Sequence, residues 1–274
     1  MELLELKKHA SQIRLNILEM IYNAQSGHIG GSLGAAEILT YLYFEEMNVN
    51  KENVGSTNRD RFVLSKGHAS PVVYATLHEA GLLDEDLLTF RQINSKLQGH
   101  PNMNYVAGVD MSTGSLGQGI STAVGMALAN KLDGNNNRVY ALIGDGESQE
   151  GLVWEALMAA THYKLDNLCV ILDLNHLQID GNIEDVMNPA PHADKFKAFG
   201  LEVVECDGHD FESIAKAFAH FNQTEGKPTA IIANTVKGKG VSFMENNYAW
   251  HGTAPKTEDY EIAKKELIAI KEAL

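Results

Sequence analysis

Asp145 and Asn175 stand 30 positions apart, and each closes a short apolar run, Arg138-Val-Tyr-Ala-Leu-Ile143 in one case and Leu168 to Leu174 in the other. Continuous apolar runs of this length fit strands buried on both faces of a sheet. The interval is what a strand–helix–strand crossover needs to return to the same sheet edge, and residues 149 to 163 supply the helix. Asp145 and Asn175 are therefore expected at the carboxyl edge of two parallel strands. Gly144 and Gly146 let the chain turn tightly there and bring its backbone against a ligand.

Asp145 offers an anionic oxygen and Asn175 a neutral carboxamide oxygen, a pair suited to Mg²⁺ or Ca²⁺ and ill suited to Zn²⁺. Two side chains do not fill an octahedron, so backbone carbonyl, water and phosphate oxygens must complete it. Gly-Asp-Gly alone is a common turn. The strand before it and the strand ending in Asn175 make it a candidate cation site.

The rest of the chain alternates in the same way. Apolar residues at helical spacing run from the start to about Ala24, and residues 35 to 46 form a second helix pattern. Arg61-Phe-Val-Leu-Ser65 reads as a strand, residues 70 to 80 as a helix, residues 84 to 97 as a helix and turn, and 120 to 131 as a small-residue helix. Beyond the opening unit, residues 182 to 192 look like a loop and 193 to 199 a helix. Strands 201 to 205 and 229 to 234 flank a helix from Phe211 to Phe221, and a looped segment from Lys237 precedes a charged helix over 257 to 274. This pattern predicts an α/β fold, a doubly wound, mostly parallel sheet flanked by helices, in a single domain spanning 1–274.

Against 22 Lys and Arg stand 36 Asp and Glu, a net charge of −14, which disfavours nucleic acid and anionic membranes as partners. A phosphorylated ligand then needs local help from a metal, histidines or helix N-termini. No run of about 18 apolar residues occurs, so no membrane span is expected. The acidic, amphipathic start is unlike a signal peptide, and a cytoplasmic location is expected. Cys169 and Cys206 lack metal-like spacing and are read as reduced packing residues.

Four histidines lie beside glycine in loop settings: His28, His68, His100 and His251, in Ser26-Gly-His-Ile-Gly-Gly-Ser-Leu-Gly34, Lys66-Gly-His-Ala69, Gln98-Gly-His-Pro101 and Trp250-His-Gly252. One such residue is ordinarily structural or solvated; four are unusual for core packing. His9, His78, His162, His192, His209 and His220 are read as structural or solvated.

Gly-Asp-Gly followed by about thirty residues ending in Asn resembles the thiamine-diphosphate signature. The wording Gly144-Asp-Gly-Glu-Ser-Gln-Glu-Gly151 with Asp173-Leu-Asn-His-Leu-Gln-Ile-Asp-Gly181 resembles transketolase in particular. Segments 26 to 34, 60 to 70, 98 to 101, 113 to 119, 235 to 240 and 250 to 252 follow that family's segments in order. Departures occur at Ile29-Gly30-Gly31 and over 241 to 250. The resemblance covers the whole chain but only the first third or so of a full-length transketolase.

The resemblance implies that Asp145, Asn175 and the Leu177 carbonyl bind the metal, and that Gly144 and Gly146 cradle the diphosphate, Gly146 through its amide. It implies further that His68 and His251 approach diphosphate or substrate with Lys237 nearby, and that Gly114, Ser115 and Leu116 border the aminopyrimidine. His28 and His100 would face the reacting carbons of the sugar. Glu150, grouped with the cofactor residues, and Glu155 would carry a chain of carboxylates at a subunit interface, and His176 would point away from the metal. The chain is then expected to be the N-terminal subunit of a split transketolase. It would use thiamine diphosphate and Mg²⁺ or Ca²⁺ on sugar phosphates, with a C-terminal subunit carrying the pyrimidine-binding domain, in a heterotetramer. Histidines suit a reaction that moves protons on and off hydroxyls near neutral pH. Half of a deoxyxylulose-phosphate synthase or of an unusual-sugar ketolase, and a non-catalytic subunit retaining the fold, are the alternatives.

Overall fold

A computed structural model describes residues 1–274. Its strands are β1 (Arg61–Leu64), β2 (Val139–Gly144), β3 (Leu168–Leu174), β4 (Leu177–Gln178), β5 (Gly181–Asn182), β6 (Glu202–Asp207) and β7 (Thr229–Asn234). Five of them form one sheet in the order β1-β2-β3-β7-β6, with every neighbouring pair parallel. Gly144 pairs with Asp173 and Leu174 with Asn234, so Asp145, Asn175 and Thr235 all emerge at one edge.

The helices are α1 (Leu3–Ala24), α2 (Ile29–Gly34), α3 (Ala36–Tyr41), α4 (Ser70–Glu79), α5 (Gln118–Leu132), α6 (Gly151–His162), α7 (Ile183–Met187), α8 (His192–Ala198), α9 (Phe211–Gln223) and α10 (Thr257–Glu272). Successive strand residues point to opposite faces. Tyr140, Leu142, Cys169 and Ile171 join a core with α1, α3, α4 and α9. Ala141, Ile143, Val170 and Leu172 join another with α5, α6 and α8. The crossover from β2 to β3 thus lies on one face and that from β6 back to β7 on the other, the placement right-handed connections give when strand order reverses. Such a reversal opens a crevice beyond the carboxyl ends of the strands.

The structure departs from the expected elements in four places. The glycine-rich segment after α1 is not a loop throughout but contains α2, whose glycines allow close packing: a Cβ on Gly30 would lie 2.8 Å from Lys237 Cγ and from the Trp250 carbonyl oxygen. The helix expected over 35 to 46 divides into α3 and a π-helical turn, Leu42–Glu46. Residues 84 to 97 hold only one 3-10 turn, Leu87–Thr89, because left-handed backbone at Arg91 and Asn94 breaks the helical path. The segment 182 to 192 contains α7, and β4 and β5 form a small antiparallel hairpin before it. Cys169 and Cys206 are free and buried, as expected, and burial pushes the Cys206 thiol up to about 12. No helix is long and apolar enough to cross a membrane.

Candidate active site

The turn after β2 is built around Asp145, which is buried. One carboxylate oxygen accepts the Gly146 amide at 2.8 Å; the other accepts the amides of Asn175 at 3.0 Å and His176 at 2.6 Å. The two strand ends are thereby joined through a single side chain. Burial, with Asp173 close by, pushes the Asp145 carboxyl up to about 6. Asn175 is buried and accepts the Leu177 amide at 3.2 Å, while the Leu177 carbonyl accepts Lys237 Nζ at 2.6 Å. Lys237 Nζ also lies 3.1 Å from His251 Nδ1, and burial brings its ammonium down to about 8.

Asp145, Asn175 and Leu177 line one cavity of about 340 Å³ together with His28, His68, His251, Lys66, Lys237, Gly114, Leu116, Gly144, Gly146 and Glu150. That volume lies within the roughly 300–1,000 Å³ of small-ligand sites. The rings of His28, His68 and His251 form a triangle with centroids 5.1 to 5.3 Å apart. Burial first, then neighbouring cations, lowers His28 to about 4 and His251 to about 3, and holds His68 well below its ordinary value. All three are held uncharged at neutral pH. His28 Nδ1, on a residue lining the cavity, is buried without a partner, as a polar atom awaiting a ligand is.

The donor set fits a hard divalent cation, because the Asp145 carboxylate, Asn175 carboxamide and Leu177 carbonyl are all oxygens. No cluster of three or more His, Cys, Asp or Glu residues suited to a metal occurs. A cation here would take its remaining ligands from phosphate and water.

Several expected residues stand further out. His100 is exposed and lies outside the 340 Å³ cavity; it packs against Gly114, where a Cβ would come within 2.9 Å of the imidazole and the backbone φ of +147° favours glycine. Ser115 is exposed and does not line the cavity, whereas Gly114 and Leu116 do. Glu150 is exposed at the rim and Glu155 exposed on the outer face of α6. His176 turns outward to Glu184, 3.2 Å away.

Several residues at or beside the site escape a reading of the sequence. Arg91 borders an open groove with Ser26 and Gln98, and its charge helps depress both His28 and His100. Its left-handed backbone has no sequence signal. Lys66, fully buried, pairs with Asp173, which Thr235 also bonds; burial alone would raise the Asp173 carboxyl, but Lys66 holds it below the usual range. Glu147 accepts Ser65 Oγ at 2.5 Å and the amides of Gly117 at 2.9 Å and Gly144 at 3.1 Å. Lys66, Asp173 and Glu147 each sit inside a motif, yet what they bond is decided by strand order.

A reversal of strand order with a polar cavity at the carboxyl ends of its strands belongs to the class of open α/β domains that take a small ligand in that crevice. Residues 6–271 match the family described as transketolase, thiamine diphosphate binding domain, and the chain belongs to that family. It is 43% identical over 267 residues to an apulose-4-phosphate transketolase subunit of Phocaeicola vulgatus, covering 97% of this chain and 94% of that protein. Identity is again 43%, over 265 residues and 96% of both chains, with 6-deoxy-6-sulfo-D-fructose transketolase subunit SqwG of a Clostridium species. The crystal structure of transketolase from Campylobacter jejuni superposes with a TM-score of 0.91 at 36% identity, covering 100% of this chain and 46% of that one. The chain thus spans less than half of the solved transketolase.

Proposed function

We propose that the chain is the N-terminal, cofactor-binding subunit of a two-chain transketolase, transferring a two-carbon ketol unit from a ketose phosphate donor to an aldose phosphate acceptor. The observation that carries this reading is the meeting, in one cavity at the sheet's carboxyl edge, of three oxygen donors with three uncharged histidines. The two relatives of nearly the same length are both named as subunits, which supports a second chain. Their names also favour a donor that is a phosphorylated or sulfonated ketose.

When bound, thiamine diphosphate supplies the carbon nucleophile that ketol transfer needs. Asp145, Asn175 and the Leu177 carbonyl would hold Mg²⁺, or Ca²⁺ in its place. Gly144, the Gly146 amide, Lys237 and His68 would receive the diphosphate, and Gly114, Ser115 and Leu116 would border the aminopyrimidine. His28, His100 and His251 would take protons from sugar hydroxyls and return them, the role imidazole most often serves near neutral pH. Glu150 and Glu155 face outward, where a carboxylate path into a second subunit would begin. We place the chain, as a single diphosphate-binding domain, in a cytoplasmic heterotetramer with a C-terminal subunit that carries the pyrimidine-binding domain.

The test is reconstitution. The chain alone should show no ketol transfer; mixed with its partner, thiamine diphosphate and Mg²⁺, it should turn over a ketose phosphate and not pyruvate. Asp145→Ala should abolish metal-dependent cofactor binding in the complex. Robust turnover by the isolated chain would overturn the two-chain reading, and a preference for pyruvate would reassign the reaction.

A further inference from the structure

A relay that is buried at Arg14 and Glu37 and half-buried at His209 and Val236 crosses four segments of the chain. Arg14 on α1 meets Glu37 on α3 through two bonds of 2.6 Å, Nη1 to Oε1 and Nη2 to Oε2, and donates from Nε to the Leu33 carbonyl at 3.2 Å. Glu37 Oε2 lies 2.9 Å from Nδ1 of His209, in the turn after β6. His209 Nε2 in turn lies 2.8 Å from the amide nitrogen of Val236, in the loop after β7. Only one protonation pattern satisfies all of these contacts. A backbone N–H can only donate, so Nε2 must carry a lone pair, and the imidazole proton sits on Nδ1 and is given to the carboxylate. Arg14 holds Glu37 in place to receive it, and the imidazole is thereby fixed in tautomer and orientation.

Val236 directly precedes Lys237, whose Nζ reaches the Leu177 carbonyl and His251. On the far side of Lys237 the Gly238 amide donates to the Gly30 carbonyl at 2.9 Å, and the Lys237 carbonyl accepts the Asn246 amide at 3.0 Å. The geometry points to His209 as a positioning residue that sets where Lys237 enters the cavity, acting through the Val236 amide, with Arg14 and Glu37 fixing its tautomer. That Lys237 serves a diphosphate rests on the proposed function; that His209 places it does not.

Two amide variants separate placement from stability. Asparagine puts its amide near the position of Nδ1 and can keep the bond to Glu37 while losing Val236. Glutamine reaches the position of Nε2 and can accept from Val236 while losing Glu37. Amide hydrogen exchange of the full chain, read at Val236 and Gly238, should accelerate on the order of tenfold in His209→Asn and in His209→Phe, as expected for one lost hydrogen bond. It should stay near the wild-type rate in His209→Gln, although that variant gives up the carboxylate contact. Exchange that follows the denaturant midpoint in all three variants, or that changes in none, overturns the inference. Calorimetric titration of the chain and its partner with thiamine diphosphate and Mg²⁺ gives the second arm. Weaker binding in the asparagine variant with rescue by glutamine is expected. If the exchange pattern holds and binding is unchanged, the placement stands and the cofactor role of Lys237 falls.

Discussion

Lys237 donates from Nζ to the carbonyl oxygen of Leu177 across 2.6 Å, tying the loop after β7 to the segment that follows β3. The same carbonyl is the backbone ligand of the proposed metal site, and a carbonyl oxygen has two lone pairs. The lysine therefore orients the ligand while leaving it able to bind a cation.

Replacing Lys237 with methionine keeps the stem and removes both polar contacts. The affinity of the reconstituted complex for Mg²⁺ with thiamine diphosphate should fall on the order of 10- to 100-fold, the range for groups that orient a metal ligand. Calorimetric titration measures this, and circular dichroism should show the fold retained. Undiminished affinity would remove Lys237 from the site.

Glu37 links Arg14 to His209, and its replacement by glutamine leaves a buried guanidinium with an uncharged partner. A loss of about 3–5 kcal/mol is expected from breaking a buried pair, measured by urea denaturation at pH 7. Burial alone would raise this carboxyl, but Arg14 and His209 hold it at about 2, below its ordinary 4.5. A depressed carboxyl contributes stability that is fully present above pH 4.5 and is lost as pH falls toward about 2. The wild-type urea midpoint should decline through this range more steeply than that of Glu37→Gln.

Glu147 receives only donors, the Ser65 hydroxyl and two backbone amides. Glutamine would turn an NH₂ group toward at least one of them, so Glu147→Gln should cost about 1–3 kcal/mol and lower the thermal midpoint in calorimetry. An unchanged midpoint would mean that the turn rearranges to supply an acceptor.

His28, His68 and His251 each ionise below the ordinary 6.5 of imidazole, with burial as the main cause. The unfolded chain takes up protons below pH 6.5 before these sites do, so folded stability is present above that value and declines as pH falls toward 4 and 3. Imidazole carbon-proton resonances of His28 and His251 should hold their neutral positions between pH 8 and pH 5 in an NMR titration, and the midpoint of His68 should fall below 6.5. A midpoint near 6.5 for His251 would show that its ring is solvated.

The sheet and its crossover were legible because the information is local: a strand, a turn and a ligand occupy consecutive residues at Ile143-Gly-Asp145 and again at Leu174-Asn175. The histidine triangle was legible as a set of glycine-flanked residues, although only the fold shows that His28, His68 and His251 share one cavity while His100 lies outside it. Short elements such as the β4–β5 hairpin and α7 are too brief to establish a period, and the expected helix over 84 to 97 failed on two residues with left-handed backbone. The relay from Arg14 to Val236 was out of reach altogether. Its members are scattered across more than two hundred positions of sequence, and His209 alone looks like any structural histidine.

The strand order carries a consequence for how the molecule comes into being. Because β7 is inserted between β3 and β6, the sheet has a gap at an inner position until residues 229–234 arrive. A nascent chain emerging from its N-terminal end displays β3 with one flank unpaired, and Asp173 without Thr235 beside it, through the synthesis of β6 and α9. Pairings so distant in sequence form slowly and leave strand edges exposed meanwhile. Ligand competence is therefore among the last properties the growing polypeptide acquires, and truncation before β7 should yield an aggregating fragment rather than a weakened binder.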